Sequence, residues 1–430
     1  MSFDYSRRSK PKPAQRRQTY GRKTSPQSLR AVAPAKKFGQ REVFERRHIG
    51  TRRTPSQSLE LLPLVTVILA IRNEEKFIDR SLGAILAQDY PADRMEVVVA
   101  DGMSTDATRE KLTTMQSMHP NLRIVDNPGK YVSAGLNAAI RVCRGEFVVR
   151  VDGHTIVASD FVRRSVEKLQ TTDAMKVGGA MHAVSEGKFG KCVALATSSP
   201  FGVGGARQHY CREEVYTDAV YLGAWRRETF ARYGLFDETQ VINEDDEMDY
   251  RLQENGGRML LCPAIKSVYY NRSTPRALAR QYFRYGYWKI RVLQMHPRQM
   301  RLRQFAPPAF VGSLLVTLAL ALFTSFGIYL FAGLLGLYLT ANVAAATFTA
   351  RKSSWRHFPG LVLSFGLLHF GYGAGFLLGL VKFAHRWGDK GEVDYLSLDQ
   401  AETSRTERRA SRIASRAELV EATPLMAAVS

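Results

Sequence analysis

The sequence predicts an α/β domain with a mostly parallel sheet, followed by transmembrane helices. In the first half of the chain, runs of β-branched and apolar residues such as 64–71 and 95–100 alternate with segments of helical spacing. This alternation is typical of βαβ units whose strands are buried on both faces. Later in the chain, residues 308–350 contain no charged side chain, a length that suits two membrane spans.

The elements of the α/β domain can be assigned in order over residues 61–272. Before residue 152 the pattern predicts buried strands, with helical segments between them, at 64–71, 95–100, 122–125 and 146–151. Ser104 or Thr105 is placed to cap the second helix. Beyond residue 152 the pattern predicts a helix at 161–169 and strands at 177–182, 219–222 and 259–262. The glycine-rich segment 199–207 indicates a flexible connection.

Much of the positive charge lies near the N-terminus. The formal net charge is +21, and residues 1–60 are rich in Arg, Lys, Pro, Ser and Gln with almost no apolar periodicity. We therefore predict a disordered basic tail suited to an anionic membrane surface. No aromatic interleaving or binding-fold motif supports nucleic acid as a partner. Four scattered cysteines without a CxxC pair indicate neither zinc nor disulfides, and no signal peptide is visible.

Residues 273–306 interleave basic and aromatic side chains, which predicts an amphipathic segment at the membrane interface. An exposed helix packed on the domain is the alternative. The membrane region is predicted at 307–385, with a turn at 325–327 and spans at about 308–326, 327–349 and 358–381. Gly371, Gly375 and Gly379 are spaced so that another helix can approach the last span closely.

Basic residues flank the apolar region at 298–303 and 351–356, which places both flanks on the cytoplasmic side. A third span that crosses fully would carry the C-terminal tail, 386–430, to the outside. A re-entrant segment would keep that tail inside, and the sequence leaves both arrangements open. The tail itself is polar with mixed charge and is predicted to be disordered.

The most concentrated acidic stretch runs from Glu244 to Asp249 and follows Asn243. Asn243 is placed to cap a helix that begins at Glu244, and Glu247 is spaced to pair with Arg251. A capped, solvated helix start needs only one or two acids, so this stretch has more carboxylates than a cap explains. A carboxylate at a helix start beside a cleft also serves as a general base, and the residues immediately after Glu244 are the candidates for that role.

Polar groups follow several predicted strands at their carboxyl ends. Asn73 and Glu74 follow the first strand, Asp101 the second, and Asp152-Gly-His154 the fourth. Ligands of open α/β sheets bind at this edge. Asp152 and His154 suit Mn²⁺ or Mg²⁺ with diphosphate oxygens and water as further ligands, although a simple Asp-Gly turn explains the same residues.

These features combine in an ordered set of motifs. In chain order they are Val-Ile-Leu-Ala-Ile-Arg-Asn-Glu-Glu at 67–75, Val-Ala-Asp-Gly-Met-Ser-Thr-Asp-Ala-Thr at 99–108, Gly-Leu-Asn-Ala-Ala-Ile at 135–140, Val-Asp-Gly-His at 151–154, Gly-Ala-Trp-Arg-Arg-Glu at 223–228, Gly-Leu-Phe-Asp-Glu at 234–238 and Asn-Glu-Asp-Asp-Glu…Arg at 243–251. With them, residues 64–270 resemble the family 2 glycosyltransferases, whose catalytic domain has the GT-A fold. Within the family the chain is similar to bacterial glucosyltransferases that extend lipid-linked exopolysaccharide repeats, such as those of succinoglycan synthesis.

The resemblance implies roles for individual residues. The nucleotide-sugar would be held by Ile71, Asn73, Glu74, Asp101, Asn137 and Asp152. Asp152 and His154 match the metal-binding Asp-x-Asp motif, with His154 where a second Asp is usual. Glu244-Asp245 matches the family's Glu-Asp motif, with Asp245 as the base and Asp246 as its neighbour. Arg72 stands where the family usually has Tyr.

A further segment resembles the Gln-x-x-Arg-Trp motif of processive synthases. It contains Gln281 and Arg284, with Tyr285 in place of the Trp. The likeness implies that Gln281 and Arg284 contact the acceptor or a diphosphate. Three membrane segments are too few for a polymer channel, so transfer of a single sugar is favoured over processive synthesis.

The resemblance therefore predicts a membrane-anchored, inverting hexosyltransferase of exopolysaccharide biosynthesis. It would move a hexose, with glucose as the first candidate, from a UDP-sugar to a polyprenyl-diphosphate-linked glycan. Its predicted place is the bacterial inner membrane, multi-pass, with the catalytic domain in the cytoplasm beside membrane lipids and other polysaccharide-assembly proteins. A processive synthase and a non-catalytic assembly component are the alternatives. A nucleotidyltransferase would need a glycine-rich loop after the first strand, and 72–75 is not one.

Overall fold

The structure of the protein is a computed structural model that describes residues 62–185, 187–204 and 211–397. The predicted basic tail at 1–60 and the part of the C-terminal tail beyond residue 397 lie outside the described residues. Part of the glycine-rich segment, 205–210, lies outside them as well.

Nine strands of the described chain form one sheet in the centre of the α/β domain. They are Val65–Ile71 (β1), Met95–Asp101 (β2), Leu122–Asp126 (β3), Phe147–Arg150 (β4), Thr155–Val157 (β5), Lys176–Val184 (β6), Val215–Thr217 (β7), Tyr221–Arg226 (β8) and Met259–Tyr270 (β9). Their order across the sheet is β3-β2-β1-β4-β8-β6-β9-β5, and β7 also pairs with β9. The predicted α/β class is confirmed.

The prediction of a mostly parallel sheet is correct for the first four strands and for the pair β6–β9. β1 pairs in parallel with β2 and β4, and β2 pairs in parallel with β3. Beyond β4 the sheet is mixed, because β8 runs antiparallel to both β4 and β6, and β5 and β7 run antiparallel to β9. Parallel neighbours need a long crossover, usually a helix, and the regular helix–strand alternation is lost after residue 152.

Helices cover both faces of the sheet. Before residue 260 they are Ile78–Leu86 (α1), Thr108–Met118 (α2), Val132–Arg141 (α3), Phe161–Thr171 (α4), Gly187–Thr197 (α5), Pro200–Val203 (α6), Glu228–Tyr233 (α7) and Glu244–Glu254 (α8). Alternate residues of β1 face the two layers: Val67 and Leu69 pack with the apolar side chains of α1, α2 and α4, whereas Ile68 packs with those of α3, α7 and α8. Because both faces of β1 are covered by helices, almost every residue of this central strand is apolar.

Four helices follow the sheet. They are Pro275–Met295 (α9), Ala306–Ala321 (α10), Ser325–Lys352 (α11) and Phe358–Lys382 (α12). Among the described residues, Ser325–Lys352 and Trp355–Lys382 are long and apolar enough to cross a membrane, while Ala306–Ala321 is shorter. The predicted turn at 325–327 is wrong by a few residues. The break falls at 322–324, because Thr324 Oγ1 accepts a hydrogen bond from Gly327 N and caps α11.

Helix α9 packs directly against α12. A side chain at Gly375 would place its Cβ 2.0 Å from Phe283 O, and one at Gly379 would place it 2.5 Å from Tyr287 O. The expectation that these glycines admit another helix is confirmed, and the partner is the segment predicted to be interfacial. The segment 273–306 therefore contains a helix that packs on its neighbours, and its Lys289 and Arg291 are buried.

The first part of the predicted disordered tail is folded against the domain. Leu235 N donates to Asp394 O at 2.7 Å, and Leu396 packs with the buried apolar cluster that contains Phe230. Arg141 Nη2 lies 2.8 Å from Asp394 Oδ2. For residues 386–397 the prediction of disorder is therefore wrong. Contacts with distant parts of the fold hold this polar segment, and local composition does not reveal them.

Candidate active site

The residues that follow β1 interlock with the loop that follows β2. Asn73 has a left-handed backbone, φ +57°, and its Oδ1 accepts from Thr105 N at 2.9 Å. Its own N–H donates to Ser104 Oγ at 3.0 Å. Glu74 N donates to Thr108 Oγ1 at 2.8 Å, and the Glu74 carboxylate lies 3.1 Å from His154 Nδ1. The predicted polar edge therefore includes the end of β1 and the turn after β4.

Asp101 closes this edge from β2 and is almost fully buried. Its Oδ1 accepts from Ser104 Oγ at 2.6 Å, and its Oδ2 lies 3.3 Å from Arg109 Nη1. Ile71 lies beneath the edge, where its carbonyl accepts from Gly102 N at 2.7 Å. Both carboxylate oxygens of Asp101 already have partners in the residues that follow β2. Asp101 therefore stabilises the loop after β2.

Arg150 links the two acidic parts of the site. Its Nε donates to Asp152 Oδ1 at 3.0 Å, and its Nη2 donates to Glu244 Oε1 at 3.0 Å. Burial alone would lower the pKa of this guanidinium, but Asp152, Glu244 and Asp245 raise it. A buried cation therefore fixes the turn after β4 against the start of α8.

Helix α8 begins at Glu244, as the sequence predicts, but Asn243 does not cap it with its side chain. Asn243 has a left-handed backbone, φ +66°, and its Nδ2 donates to Tyr285 O of α9 at 3.1 Å. The predicted pair of Glu247 and Arg251 is confirmed, with Arg251 Nε 2.9 Å from Glu247 Oε1. The side chain of Asn243 is used between helices because α9 offers it an acceptor.

The acids after Glu244 differ in their partners. Asp245 Oδ1 accepts from the backbone N–H of Asp246 at 2.9 Å, and Asp246 Oδ2 lies 2.5 Å from Lys289 Nζ of α9. In the described part of the chain, Asp245 has no cationic side chain within ion-pair distance. Burial would lower the pKa of Lys289, but the charge of Asp246 raises it, so the ammonium remains charged. Asp245 is thus the acid whose carboxylate is most available to a ligand.

Burial perturbs the acids on either side. It raises the pKa of Glu244 to about 7, although the charge of Arg150 opposes the shift. It also raises the pKa of Asp249 to about 7, against the charge of Lys176, whose Nζ lies 2.7 Å from Asp249 Oδ1. Perturbed acids of this kind cluster at functional sites.

A cavity of about 1150 Å³ contains the acidic site. At its charged end it is lined by Arg150, Asp152, His154, Asn243, Glu244, Asp245, Asp246, Gln281, Arg284 and Lys289. On the opposite side it is lined by residues of α6, α10, α11 and α12, among them Phe201, Phe310, Tyr338, Leu368 and Tyr372. One space therefore joins a charged end to an apolar, aromatic end.

The structure brings together most of the predicted site residues. Asp152, His154, Glu244, Asp245, Asp246, Gln281 and Arg284 line the cavity. Ile71, Asn73, Glu74 and Asp101 lie at the neighbouring edge. Asn137 is elsewhere: it is fully buried, and its Nδ2 donates to Phe236 O at 2.8 Å while its Oδ1 accepts from Phe236 N at 2.9 Å. Asn137 therefore holds the 234–238 motif and does not reach the cavity.

The donor atoms of Asp152 and His154 fit a divalent cation shared with a diphosphate. Arg150 engages Asp152 Oδ1 and Glu74 engages His154 Nδ1, which leaves Asp152 Oδ2 and His154 Nε2 without a described partner. Within the described residues no group of three or more His, Cys, Asp or Glu side chains is placed to hold a metal. An oxygen and an imidazole nitrogen suit Mn²⁺ or Mg²⁺ only if other ligands come from the substrate and water.

Sequence reasoning missed several residues that shape the site. Arg150 is the last residue of β4 and Lys176 is the first residue of β6. Lys289 lies in α9, within the segment that the sequence predicts to be interfacial. A basic side chain at the end of an apolar strand requires a buried counter-ion, and this signal was available for Arg150 and Lys176. The part of the glycine-rich segment that is described, 199–204, contains helix α6 with its two caps, and it lines the cavity.

The sheet and the acidic cavity define an α/β enzyme with the GT-A fold. The sequence profile "Glycosyl transferase family 2" matches residues 66–231. The chain is 31% identical to the succinoglycan biosynthesis protein ExoA of Rhizobium meliloti. The matched stretch of 255 residues covers 58% of this chain and 77% of that protein. The chain therefore belongs to glycosyltransferase family 2 and is a glycosyltransferase.

Two other proteins show the range of similarity. A dolichyl N-acetyl-α-D-glucosaminyl phosphate 3-β-D-2,3-diacetamido-2,3-dideoxy-β-D-glucuronosyltransferase of Methanococcus voltae is 27% identical over 230 residues, 52% of this chain and 71% of that protein. The solved mannosyltransferase PcManGT from Pyrobaculum calidifontis, in complex with GDP-Man and Mn²⁺, is 23% identical with a TM-score of 0.47, covering 74% of this chain and 88% of that chain.

Proposed function

We propose that this protein is a membrane-anchored, inverting hexosyltransferase that moves a sugar from a UDP-sugar to a polyprenyl-diphosphate-linked glycan. The observation that carries the proposal is the cavity, which has carboxylates at one end and an apolar, aromatic lining at the other. A nucleotide-sugar suits the first end and a lipid-linked acceptor suits the second. The similarity to a succinoglycan biosynthesis protein supports a place in exopolysaccharide biosynthesis, with glucose as the first sugar to test.

In the proposed reaction Asp245 is the general base. Its carboxylate takes the proton of the acceptor hydroxyl as that oxygen forms a bond to the anomeric carbon of the donor. The bond between the anomeric carbon and the diphosphate oxygen breaks on the opposite face, so the configuration inverts and UDP leaves. Arg150 and Lys289 neutralise Glu244 and Asp246, which reserves Asp245 for the proton.

Asp152 and His154 are the proposed ligands of Mn²⁺ or Mg²⁺ on the donor diphosphate. Such an ion supplies charge neutralisation for the departing nucleotide. Gly153 lets the turn that carries both ligands lie on β1, since a Cβ there would come within 2.8 Å of Ile71 Cγ2 and 3.0 Å of Glu74 Cγ. The edge formed by Ile71, Asn73, Glu74 and Asp101 is then the proposed nucleotide side of the site.

The proposed acceptor diphosphate lies beside three arginines that line the cavity. The side chains of Arg272, Arg280 and Arg284 have no hydrogen bond or ion pair with any other described residue, and Arg280 and Arg284 are four apart on α9. Unpaired cations with this spacing suit phosphate oxygens. Gln281 Nε2 donates to Tyr285 Oη at 2.9 Å, so its amide oxygen remains available to a ligand. The aromatic residues beyond them suit the first units of a polyprenyl chain.

The proposed location is the bacterial inner membrane, with the catalytic domain in the cytoplasm, where UDP-sugars are found. The two long apolar helices support a membrane location. Membrane lipids and other polysaccharide-assembly proteins are the proposed neighbours. A lipid-linked acceptor is consistent with this location, because its head group would lie near the cavity.

The test is release of UDP by membranes that contain the protein, with Mn²⁺, a panel of UDP-sugars and a mixed polyprenyl-lipid extract. Asp245→Asn should lower the rate at least a hundredfold, the usual scale for loss of a general base, and should leave calorimetric UDP-sugar binding in place. Asp173→Asn, an exposed acid paired with Arg258, is the matched control and should keep full activity.

Three results would change the proposal. If Asp245→Asn keeps more than a few per cent of the activity while Asp246→Asn does not, the base is Asp246. If no sugar supports UDP release but donor binding is measured, the acceptor offered is the wrong one. If no UDP-sugar binds to the wild-type protein, the donor class is wrong.

A further inference from the structure

The helices α10 and α11 form an apolar hairpin whose side chains near the turn are largely exposed. No charged residue occurs between Arg303 and Arg351. Near the turn, Leu322 is 75%, Phe323 84% and Phe326 68% exposed. Exposed apolar side chains in such a continuous patch need an apolar partner.

Both ends of the hairpin are attached to the α/β domain. Just before α10, Arg303 Nη2 lies 2.8 Å from Asp218 Oδ2, and Gln304 Nε2 donates to Tyr250 Oη at 2.7 Å. Just after α11, His357 O accepts from Cys192 Sγ of α5. The chain therefore leaves the domain at Phe305 and returns to it before α12.

The free part of the hairpin is too short to cross a bilayer. Helix α11 contacts α12 through Tyr338, whose Oη lies 3.1 Å from His369 Nδ1. From Tyr338 to the start of α11 at Ser325 the helix measures about 20 Å, and the whole of α10 measures about 24 Å. The hydrocarbon core of a bilayer is about 30 Å thick, so the turn ends inside it.

The turn itself is adapted to an environment without water. Leu322 N donates to Ala319 O, and Phe323 N and Thr324 N both donate to Leu320 O. Thr324 Oγ1 donates to Leu320 O and accepts from Gly327 N. Hydrocarbon requires internal partners for backbone polar groups, whereas a turn that emerges into water usually carries polar side chains.

Helix α12 does not carry the chain to the other side. At its start, a Cβ on Gly360 would lie 2.5 Å from Cys192 Sγ of α5. At its end, Phe383 O accepts from Gln294 Nε2 of α9 at 2.7 Å. The segment beyond it contacts the domain through Asp394 and Leu396. Both ends of α12 therefore lie against the catalytic side.

We propose that the hairpin α10–α11 enters one leaflet from the cytoplasmic face and returns, so that no described part of the chain emerges on the opposite face. The apolar surface of the hairpin then contacts the hydrocarbon of that leaflet. Basic side chains near both ends of the hairpin, Arg298, Arg301, Arg351, Lys352 and Arg356, suit anionic head groups. This inference rests on the membrane location proposed above and replaces the multi-pass arrangement expected from the sequence.

The experiment labels cysteines introduced one at a time, in spheroplasts of an expressing bacterium, with a membrane-impermeant maleimide; the background is Cys211→Ser, which leaves only the three buried native cysteines. Phe323→Cys reports the turn, Ser353→Cys the return to the domain, and Tyr395→Cys the folded tail. We expect none to react in intact spheroplasts. After permeabilisation that leaves the bilayer in place, positions 353 and 395 should react at least tenfold faster than position 323, which should react only in detergent.

Each alternative gives a different pattern. Reaction at 323 in intact spheroplasts means that the hairpin crosses fully, and reaction at 395 means that α12 crosses as well. Reaction at 323 after permeabilisation without detergent means that the turn is in water. The same pattern should hold in an Asp245→Asn background, so a failure of the proposed chemistry and a failure of the proposed anchor are distinguishable.

A second measurement tests the depth of the turn. A fluorophore on Phe323→Cys in phosphatidylcholine–phosphatidylglycerol vesicles should be quenched more strongly by a nitroxide deep in the acyl chain than by one near the head group. The order should be reversed for the same fluorophore on Ser353→Cys. Equal, weak quenching at both positions would overturn the proposal, since it would place the turn outside the hydrocarbon.

Discussion

At the scale of single residues, Arg150 determines how the two acidic parts of the site are held together. Its guanidinium is buried and contacts Asp152 and Glu244, which come from β4's end and α8's start. The contact with Asp152 is local in sequence, whereas the contact with Glu244 joins residues that are 94 positions apart. The residues around Arg150 predict its strand, but its partners depend on how that strand and α8 meet in the fold.

Arg150→Met should destabilise the protein strongly, because it leaves two acids buried near each other without a cation. We expect the free energy of unfolding to fall by about 3–5 kcal/mol, as for other broken buried ion pairs. Arg163→Met is the matched control: Arg163 pairs with Asp89 at the surface, and its loss should cost about 1 kcal/mol or less. Thermal unfolding in detergent measures both, and equal effects would show that Arg150 is not the link.

The pKa of Glu244 gives the site a pH dependence of predictable sign. With a pKa raised from 4.5 to about 7, the folded protein binds more protons at Glu244 than the unfolded chain does within that window. Stability should therefore fall as the pH rises from about 4.5 to 7, by up to about 3 kcal/mol from this group.

Glu244→Gln should flatten that part of the pH–stability profile, measured as the unfolding midpoint at a series of pH values. Glu228→Gln, at an exposed position in the first turn of α7, is the control and should keep the wild-type slope. A Glu244→Gln profile as steep as the wild type would assign the dependence to another acid, with Asp249 as the next candidate.

At the scale of elements, the glycines of α12 decide where α9 lies. The sequence spacing predicted a close approach but could not name the partner, because the four-residue repeat fixes only one of the two surfaces. The partner surface includes Gly286 of α9, where a Cβ would lie 2.0 Å from Tyr372 O. Helix α9 thus contacts α12 on one side and the acidic helix α8 on the other.

Gly375→Ala should separate α9 from α12, because the new Cβ would lie 2.0 Å from Phe283 O. We expect a loss of about 1–3 kcal/mol, the scale of overpacking, seen as a lower unfolding midpoint in detergent. Gly366→Ala lies on the same helix with nothing within 4 Å of its Cβ, and it should keep or slightly raise the midpoint. If both variants behave alike, helix propensity and not packing explains the result.

At the scale of the whole molecule, the sequence predicted the first four strands and the polar edge well, since each depends on a local apolar run and the residue after it. The antiparallel pairings of β5, β7 and β8 were not predicted, because strand direction there depends on connections with no regular period. The contact of Asn243 with Tyr285 and the folded segment at 386–397 were missed for a related reason. Their partners are far away in sequence.

Leu396→Asp should test whether that C-terminal segment contributes to the fold. Leu396 packs with the apolar cluster around Phe230, so a carboxylate there should lower the free energy of unfolding by about 1–3 kcal/mol. Tyr395→Asp is the neighbouring control at an exposed position and should change stability by less than about 0.5 kcal/mol. Proteolysis rates of the two variants provide an independent readout, and equal rates would mean that the segment adds nothing.

The direct backbone contact between α9 and α12 has a mechanical consequence. No side-chain layer separates the two helices at Gly375, and α9 is joined to the acidic helix α8 through Lys289–Asp246 and Tyr285–Asn243. A displacement of α12 at Gly375 would therefore move the backbone of α9, and α9 contacts Asp246 and Asn243 beside Asp245. In a bilayer, acyl-chain length and lateral tension would then act on the geometry of the reaction centre, and the surrounding lipid would act as an effector of the enzyme.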